Sequence, residues 1–155
     1  MISQRARYAF KAVVALARAK PGDGMQIRQI CEQEKLPRKF LEQILLSLKA
    51  AGYITSKRGR DGGYELLKPA GLIFIGPMLR VVDGPIAPLP CLSRTAYDRC
   101  DDCKDEISCE VRIAFAKAYS DYLGTLEHLS LADVMSQSDA GPHGNKPVLP
   151  EKITA

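Results

Sequence analysis

Four of the chain's five cysteines lie close together in the acidic stretch CLSRTAYDRCDDCKDEISC, with the spacing C-x8-C-x2-C-x5-C. Thiolate sulfur is the usual ligand of iron–sulfur clusters and also binds structural zinc, and two neighbouring thiols can be oxidised to a disulfide. Unliganded, inert thiols are the remaining alternative. The pattern therefore predicts an iron–sulfur cluster (2Fe–2S or 4Fe–4S), a zinc ion or a redox-active Cys100–Cys103 pair, with four candidate ligands: Cys91, Cys100, Cys103 and Cys109.

The surroundings of these thiols are strongly negative, which should raise cysteine pKa values and disfavour reactive thiolates. The acidic neighbours are Asp98, Asp101, Asp102, Asp105, Glu106 and Glu110. The fifth cysteine, Cys31, stands beside Ile27 and Ile30 in an apolar pattern. We expect it to pack in the core as a small hydrophobic residue.

Length and composition are those of one globular domain, or of a small domain with an extension: 155 residues, 46% hydrophobic and 26% charged. No apolar run approaches the roughly 20 residues needed to span a bilayer. We therefore expect a cytoplasmic protein with reduced thiols and no membrane partner. The sequence contains no acid/base pair, nucleophile arrangement or cofactor fingerprint, so we expect no enzymatic activity.

Charge is distributed unevenly along the chain. Residues 1–70 contain 14 Lys+Arg against 6 Asp+Glu, whereas residues 71–155 contain 8 against 12. A basic N-terminal half with an acidic C-terminal half is typical of a polyanion-binding module joined to another part, the alternative being a chance distribution of surface charge.

The elements of the N-terminal half predict a winged helix-turn-helix. An amphipathic helix over residues 3–20 is stopped by PGDG, a short helix over 26–35 is broken at Leu36-Pro37, and a second helix, RKFLEQILLSLKAAG, ends at Gly52. We expect Pro37 in the first turn of that helix. Two β-prone runs then flank the basic, glycine-rich turn KRGRDGG. Basic side chains start the second helix and lie in the turn, where they can face phosphates or the minor groove: Arg38, Lys39, Lys57, Arg58 and Arg60.

The C-terminal half contains one more short helix, over residues 75–84, and then a long helical stretch after Cys109. Apolar residues three or four apart on the long helix predict a dimer interface, the alternative being that they pack against their own domain: Val111, Phe115, Ala118, Tyr122 and Leu126. The predicted fold is mainly α with a small β-hairpin wing, a winged helix-turn-helix plus a long C-terminal dimerisation helix. Its expected parts are a DNA-binding domain over 1–84, a cysteine-rich sensor loop over 85–110, a dimerisation helix region over 111–135 and a disordered tail over 136–155.

Four segments in this order resemble the Rrf-two family of bacterial winged-helix transcription regulators, which includes IscR-, NsrR- and CymR-like proteins: MISQRARYAFKAVVALA, KFLEQILLSLKAAGYI, RGRDGGYELLKP and MLRVVDG. The resemblance implies a homodimer on a partly palindromic double-stranded DNA operator. It places Lys39, Phe40, Glu42 and Gln43 at the start of the recognition helix, and Arg58 with Gly59 on the wing. Glu42 could accept a hydrogen bond from a cytosine amino group, or could brace its neighbours.

The same resemblance implies that three cysteines, here Cys91, Cys103 and Cys109, ligate an iron–sulfur cluster in the family's sensor members. Cys100 is an addition to that pattern. Arg112 and Arg7 stand where IscR-like and NsrR-like members carry a histidine and an aspartate ligand, and arginine cannot ligate iron. Cys100 is therefore the candidate fourth ligand.

Together these features predict a homodimeric regulator, a repressor, whose operator affinity is controlled by an iron–sulfur cluster or by thiol redox state at Cys91–Cys109. The alternative is a winged-helix repressor that holds structural zinc at these cysteines and responds to a small molecule.

Overall fold

Helix α1 spans Gln4–Arg18 and forms the centre of the N-terminal half. The Ser3 side chain caps it by accepting a hydrogen bond from the Ala6 amide. Its buried face is rich in alanine, which lets neighbouring helices and a β-strand approach closely. The structure is a computed structural model and describes residues 2–20, 22–59 and 62–140.

Helices α2 (Ile27–Glu34) and α3 (Arg38–Ala50) form the helix-turn-helix. The turn passes through Lys35 in the left-handed conformation (φ 55°) and buries Leu36. Pro37 lies at the N-cap rather than in the first turn, because its ψ of 124° is extended. Helix α3 buries one face, consisting of Leu41, Ile44, Leu45 and Leu48.

The wing is an antiparallel hairpin of β1 (Ile54–Lys57) and β2 (Gly63–Leu66). On its other side, Tyr64 pairs with Met25, with reciprocal backbone hydrogen bonds of 2.9 and 2.8 Å. This approach requires a glycine at residue 63, because a Cβ there would lie 2.7 Å from backbone atoms of Gly24 and Met25. The GG pair of the sequence therefore allows the wing to pack against the segment before α2.

The C-terminal half contains α4 (Ile75–Asp83), α5 (Glu110–His128) and α6 (Leu131–Asp139). Short 3-10 helices occur at Ala70–Leu72 and Pro90–Leu92. None of the described helices combines the length and the hydropathy that a membrane span requires.

The structure divides residues 111–155 differently from the sequence prediction. The expected single helical region over 111–135 is two helices, because Ser130 starts α6 with a capping box to Asp133. Helix α6 returns to the winged-helix core, where Leu131 is fully buried and its amide donates to the Ile73 carbonyl at 2.8 Å. Residues 136–139, expected in the disordered tail, are the last turn of α6, and residues 141–155 lie outside the described part.

Candidate DNA interface and cysteine segment

The N-terminal end of α3 presents its polar side chains to solvent. Arg38, Lys39 and Gln43 are exposed, and Glu42 is partly exposed, because the apolar residues of α3 face the core. The Nε atom of Arg38 donates a hydrogen bond to Oε1 of Glu42 at 3.0 Å. Glu42 thus braces Arg38 in the structure. The Arg38–Glu42 pair lies on the solvent-exposed side of the helix.

Helix α1 braces α3 through contacts that sequence reasoning did not assign. The ring of Phe40, itself 41% exposed, packs edge-on against Tyr8 with ring centroids 5.7 Å apart. Further along, Nη2 of Arg5 donates to Oγ of Ser47 at 2.8 Å, while Arg5 Nε is buried without a hydrogen-bond partner among the described residues. Both contacts join residues distant in sequence, so periodicity gives no signal for them.

The wing carries a paired and an unpaired basic residue before its tip. Lys57 forms an ion pair with Glu65 across the hairpin, with Nζ and Oε1 2.8 Å apart. The exposed Arg58 has no ion-pair partner within the described ranges, and Gly59 turns the chain with a φ of +118°. Arg60 lies outside the described residues. Arg58 is therefore the described wing cation that is free to bind a phosphate.

Cys31 is half-buried in the helix-turn-helix and packs against the hydrophobic core. Desolvation raises the pKa of its thiol; the positive charge of Arg38 opposes that rise, and the negative charges of Glu42 and Glu32 add to it. Cys31 therefore behaves as a partly covered core residue, close to the Arg38–Glu42 pair.

The four clustered cysteines occupy different environments. Cys91 is buried in the 3-10 helix Pro90–Leu92, Cys100 is exposed, and Cys103 and Cys109 are half-buried. All are free thiols, and Cys109 occupies the N-cap position of α5. Partial desolvation, followed by the charges of Cys91, Asp102 and Cys103, raises the pKa of the Cys100 thiol.

The loop around these cysteines is held by a cluster of polar side chains centred on Glu106. Its carboxylate accepts a hydrogen bond from Tyr97, which raises the pKa of that phenol. The same carboxylate lies 4.0 Å from Arg99 Nε and 3.5 Å from Arg112 Nη1. Arg112 and Glu106 are 30% and 26% exposed, whereas Arg99 is 54% exposed, so the cluster holds the loop together at the protein surface.

Both arginines also bind the backbone of the cysteine segment. Arg112, in the first turn of α5, donates to the Cys91 carbonyl. Arg99 Nη2 donates to the Cys103 carbonyl at 3.0 Å. The hydrogen bonds to Cys91 and Cys103 are the main causes of the raised pKa values of Arg112 and Arg99. Arg112 therefore links the N-terminal end of α5 directly to the segment that contains the cysteines.

The arrangement of these side chains does not fit a metal centre. Four thiols are a suitable donor set for zinc or an iron–sulfur cluster. In the described part of the chain, however, no group of three or more His, Cys, Asp and Glu side chains is placed to hold a metal ion. A ligand set of Cys91, Cys100, Cys103 and Cys109 remains a prediction that would require the loop to change conformation.

Most of the chain matches one known protein family. The Rrf2 (Rrf-two) family model, described as an iron-dependent transcriptional regulator, matches residues 2–137. The chain belongs to the Rrf2 family. An rrf2-like HTH-type transcriptional regulator of Rhodobacter capsulatus is 46% identical over 139 residues, which cover 88% of this chain and 93% of the relative. The chain is accordingly a DNA-binding transcriptional regulator and not an enzyme.

Solved structures confirm the winged-helix fold of this Rrf2 regulator. CymR of B. subtilis, described as the global cysteine regulator, superposes with a TM-score of 0.68 at 27% identity, covering 88% of this chain and 96% of CymR. IscR of T. potens superposes with a TM-score of 0.72, covering 94% of this chain and 93% of IscR. Its 22% identity supports the fold alone.

Helix α5 of the Rrf2 regulator exposes an apolar face. Val111, Phe115 and Tyr122 are 54%, 48% and 42% exposed, and Ala118 is exposed beside them. Leu126 differs, because it packs against the small core of Ala6, Ile75 and Leu79. Four of the five residues predicted for the dimer interface are thus open, while Leu126 also holds α5 to its own chain.

An open groove borders both the cysteine segment and the wing. It has a volume of about 500 Å³ and lies between α4, the segment after Ser93 and Tyr53, the residue immediately before β1. Buried Tyr53 lines it, as do Arg80 of α4 and Thr95 of the cysteine segment. The cysteine segment, α4 and the residue before β1 therefore border the same open groove.

Proposed function

We propose that this Rrf2 regulator is a homodimeric repressor that binds a partly palindromic operator in double-stranded DNA. We further propose that the chemical state of the Cys91–Cys109 segment controls its operator affinity. The observation that carries this proposal is the Arg112 contact, which ties the Cys91 carbonyl and Glu106 to the first turn of α5. Since the target is chromosomal DNA, we expect the protein in the cytoplasm.

DNA binding would use the exposed end of α3 in the major groove and the wing beside it. The α3 residues are Arg38, Lys39, Phe40, Glu42 and Gln43. On the wing, Arg58 and Gly59 would lie closest to the DNA backbone, with Lys57 and Arg60 adding positive charge. The basic residues would provide salt-dependent affinity for phosphates, and the polar side chains of α3 would read base edges.

Dimerisation would cover the apolar face of α5. An exposed face of this kind is typical of a protein–protein contact. Two copies related by a two-fold axis would bury Val111, Phe115, Ala118 and Tyr122 against the same residues of the second copy. The two helix-turn-helix units would then read the half-sites of a palindromic operator.

Control by the cysteine segment has two forms, both of which act through α5. In the thiol form, oxidation joins two cysteines by an S–S bond and removes two electrons and two protons, which an oxidant accepts. In the metal form, Cys91, Cys100, Cys103 and Cys109 would hold an iron–sulfur cluster if the loop adopted another conformation, and the cluster would supply a redox-sensitive group to this segment. Either change would alter the backbone around Cys91 and Cys103, to which Arg112 and Arg99 bind.

The experiment is purification without oxygen, followed by absorbance spectra, iron, sulfide and zinc analysis, and operator titration. Protein that contains iron and sulfide, and whose affinity changes when they are removed, supports the metal form. Metal-free protein whose affinity follows thiol oxidation supports the thiol form. One zinc ion per chain, together with an operator affinity that oxidants do not change, would instead support the alternative, structural zinc with a small-molecule signal.

A further inference from the structure

The Arg38–Glu42 ion pair occupies the part of α3 that the proposed function places against the bases. Arg38 is the first residue of the helix, and Glu42 follows one turn later on the same face. The side chains are 68% and 44% exposed, and their Nε and Oε1 atoms lie 3.0 Å apart. The pair is therefore open to a ligand at the end of a helix of the kind that enters the major groove.

The contact leaves specific atoms of the pair unused. Arg38 engages Glu42 through Nε, and among residues 2–20, 22–59 and 62–140 neither of its Nη atoms nor Oε2 of Glu42 has another hydrogen-bond partner. The end-on fork of two Nη groups matches guanine O6 and N7, whereas a carboxylate oxygen matches the amino group of cytosine. Two donors and one acceptor thus lie side by side on one surface.

We propose that Arg38 and Glu42 read DNA as one unit, with the Arg38 Nη groups on guanine O6 and N7 and Glu42 on the amino group of a neighbouring cytosine. This inference deepens the proposed function, because it requires α3 to lie in the major groove of an operator. Arg38 also acts as a positioning residue for Glu42: it holds the carboxylate in one rotamer and offsets a negative charge that DNA phosphates would repel.

The chain contains a matched control for this pair. On α2, Nε of Arg28 lies 2.8 Å from Oε1 of Glu32, with the same atoms, the same spacing and side chains 80% and 64% exposed. Exposed pairs at this spacing contribute little to stability. Arg38→Gln and Arg28→Gln each remove one positive charge, so a difference between them reports recognition rather than folding or net charge.

The experiment selects operator sequences from random duplexes with the full chain and then measures affinity for the selected operator with each base pair changed. For the unsubstituted protein we expect a guanine next to a cytosine in each half-site, with roughly a tenfold or greater loss when either is replaced. Arg38→Gln should abolish the guanine preference and weaken that for cytosine, and Glu42→Gln should abolish the cytosine preference. The double variant should lose less than the sum of both changes, and Arg28→Gln should keep both preferences.

Two results would overturn the inference in distinguishable ways. If the unsubstituted protein selects no sequence at all, the proposed operator binding fails and this inference with it. If it selects an operator whose base preferences survive Arg38→Gln, or change equally in Arg28→Gln, the reading unit is refuted and operator binding stands. Circular dichroism and urea unfolding of each variant establish that the compared proteins are folded.

Discussion

Arg80 on α4 lies against Glu127 near the C-terminal end of α5, with Nη1 and Oε1 2.5 Å apart and side chains only 24% and 26% exposed. The hydrogen bond from Arg80 holds the pKa of the Glu127 carboxyl below its usual range. Close by, a Cβ on Gly76 would lie 3.1 Å from the Leu126 carbonyl oxygen, so the two helices also meet tightly through their backbones. This contact attaches the candidate dimer helix to the winged-helix domain.

Replacing Glu127 by Gln should lower the free energy of unfolding by about 1–3 kcal/mol at neutral pH, because a half-buried guanidinium loses its charged partner. Since the folded-state pKa of Glu127 is depressed, its contribution is fully present above the ordinary value of 4.5 and is lost as pH falls through the folded pKa. The difference in free energy of unfolding between the unsubstituted protein and Glu127→Gln should therefore become smaller below that pH. Urea unfolding at a series of pH values measures this difference.

Asp121→Asn is the control for this change, because the Lys117–Asp121 pair on the same helix is 86% and 69% exposed. It should alter stability by less than about 0.5 kcal/mol. A Glu127→Gln protein as stable as the Asp121→Asn protein at neutral pH would contradict the role given to the α4–α5 contact.

Gly63→Ala should destabilise the protein by about 1–3 kcal/mol, because the added Cβ meets backbone rather than a side chain that can move. Urea unfolding gives the loss, and DNA titration should show weaker binding as the wing shifts. The matched substitution Gly124→Ala adds a Cβ in α5 with nothing within 4 Å, and should be neutral or stabilising. Equal effects of the two substitutions would mean that the wing accommodates the Cβ.

Arg58→Ala should weaken binding to all DNA sequences about equally, because the proposed partner of Arg58 is a phosphate. The slope of log affinity against log salt should fall in magnitude by about 1. Affinity measured at several salt concentrations checks both effects. Lys117→Ala removes the same charge from α5, and an equally large loss there would point to net charge rather than to the wing.

Phe115→Asp should convert the proposed dimer to a monomer, because a charge at the centre of an apolar interface remains desolvated and unpaired. Sedimentation velocity measures the change. Ile107→Asp places the same charge on a side chain that is 88% exposed in the cysteine segment, and should leave the oligomeric state unchanged. A dimer that survives Phe115→Asp would show that another surface holds the copies together.

Ser130→Ala should cost about 1 kcal/mol of stability, because it removes half of the capping box that starts α6. Thermal unfolding monitors the loss. The exposed Ser136 hydroxyl donates to the Asp133 carbonyl of its own helix, so Ser136→Ala should change stability by less than about 0.5 kcal/mol. If Ser130→Ala lowers stability no more than Ser136→Ala does, the packing of α6 on the core does not depend on its N-terminal cap.

Local patterns were sufficient to predict most of the winged helix. The helix-turn-helix was predicted from the apolar spacing of Leu41, Ile44, Leu45 and Leu48 and from the helix-breaking residues Pro37 and Gly52. Such spacing reports directly which face of a helix is buried. The Arg38–Glu42 pair could also be predicted from the sequence, since residues four apart on a helix are neighbours. The basic turn between two β-prone runs likewise identified the wing.

The amino-acid sequence by itself therefore determined the elements of the winged helix, the family resemblance and the presence of four clustered thiols. Tertiary structure alone decided that α6 returns to the core through Leu131, that Met25 pairs with Tyr64, and that Arg112 joins α5 to the Cys91 carbonyl. It also placed the four thiols in different environments, and among the described residues no three His, Cys, Asp or Glu side chains are grouped to hold a metal ion. These features depend on contacts between residues far apart in the chain. Spacing along the sequence reports nearest neighbours only, so such contacts can be read only once the chain is folded.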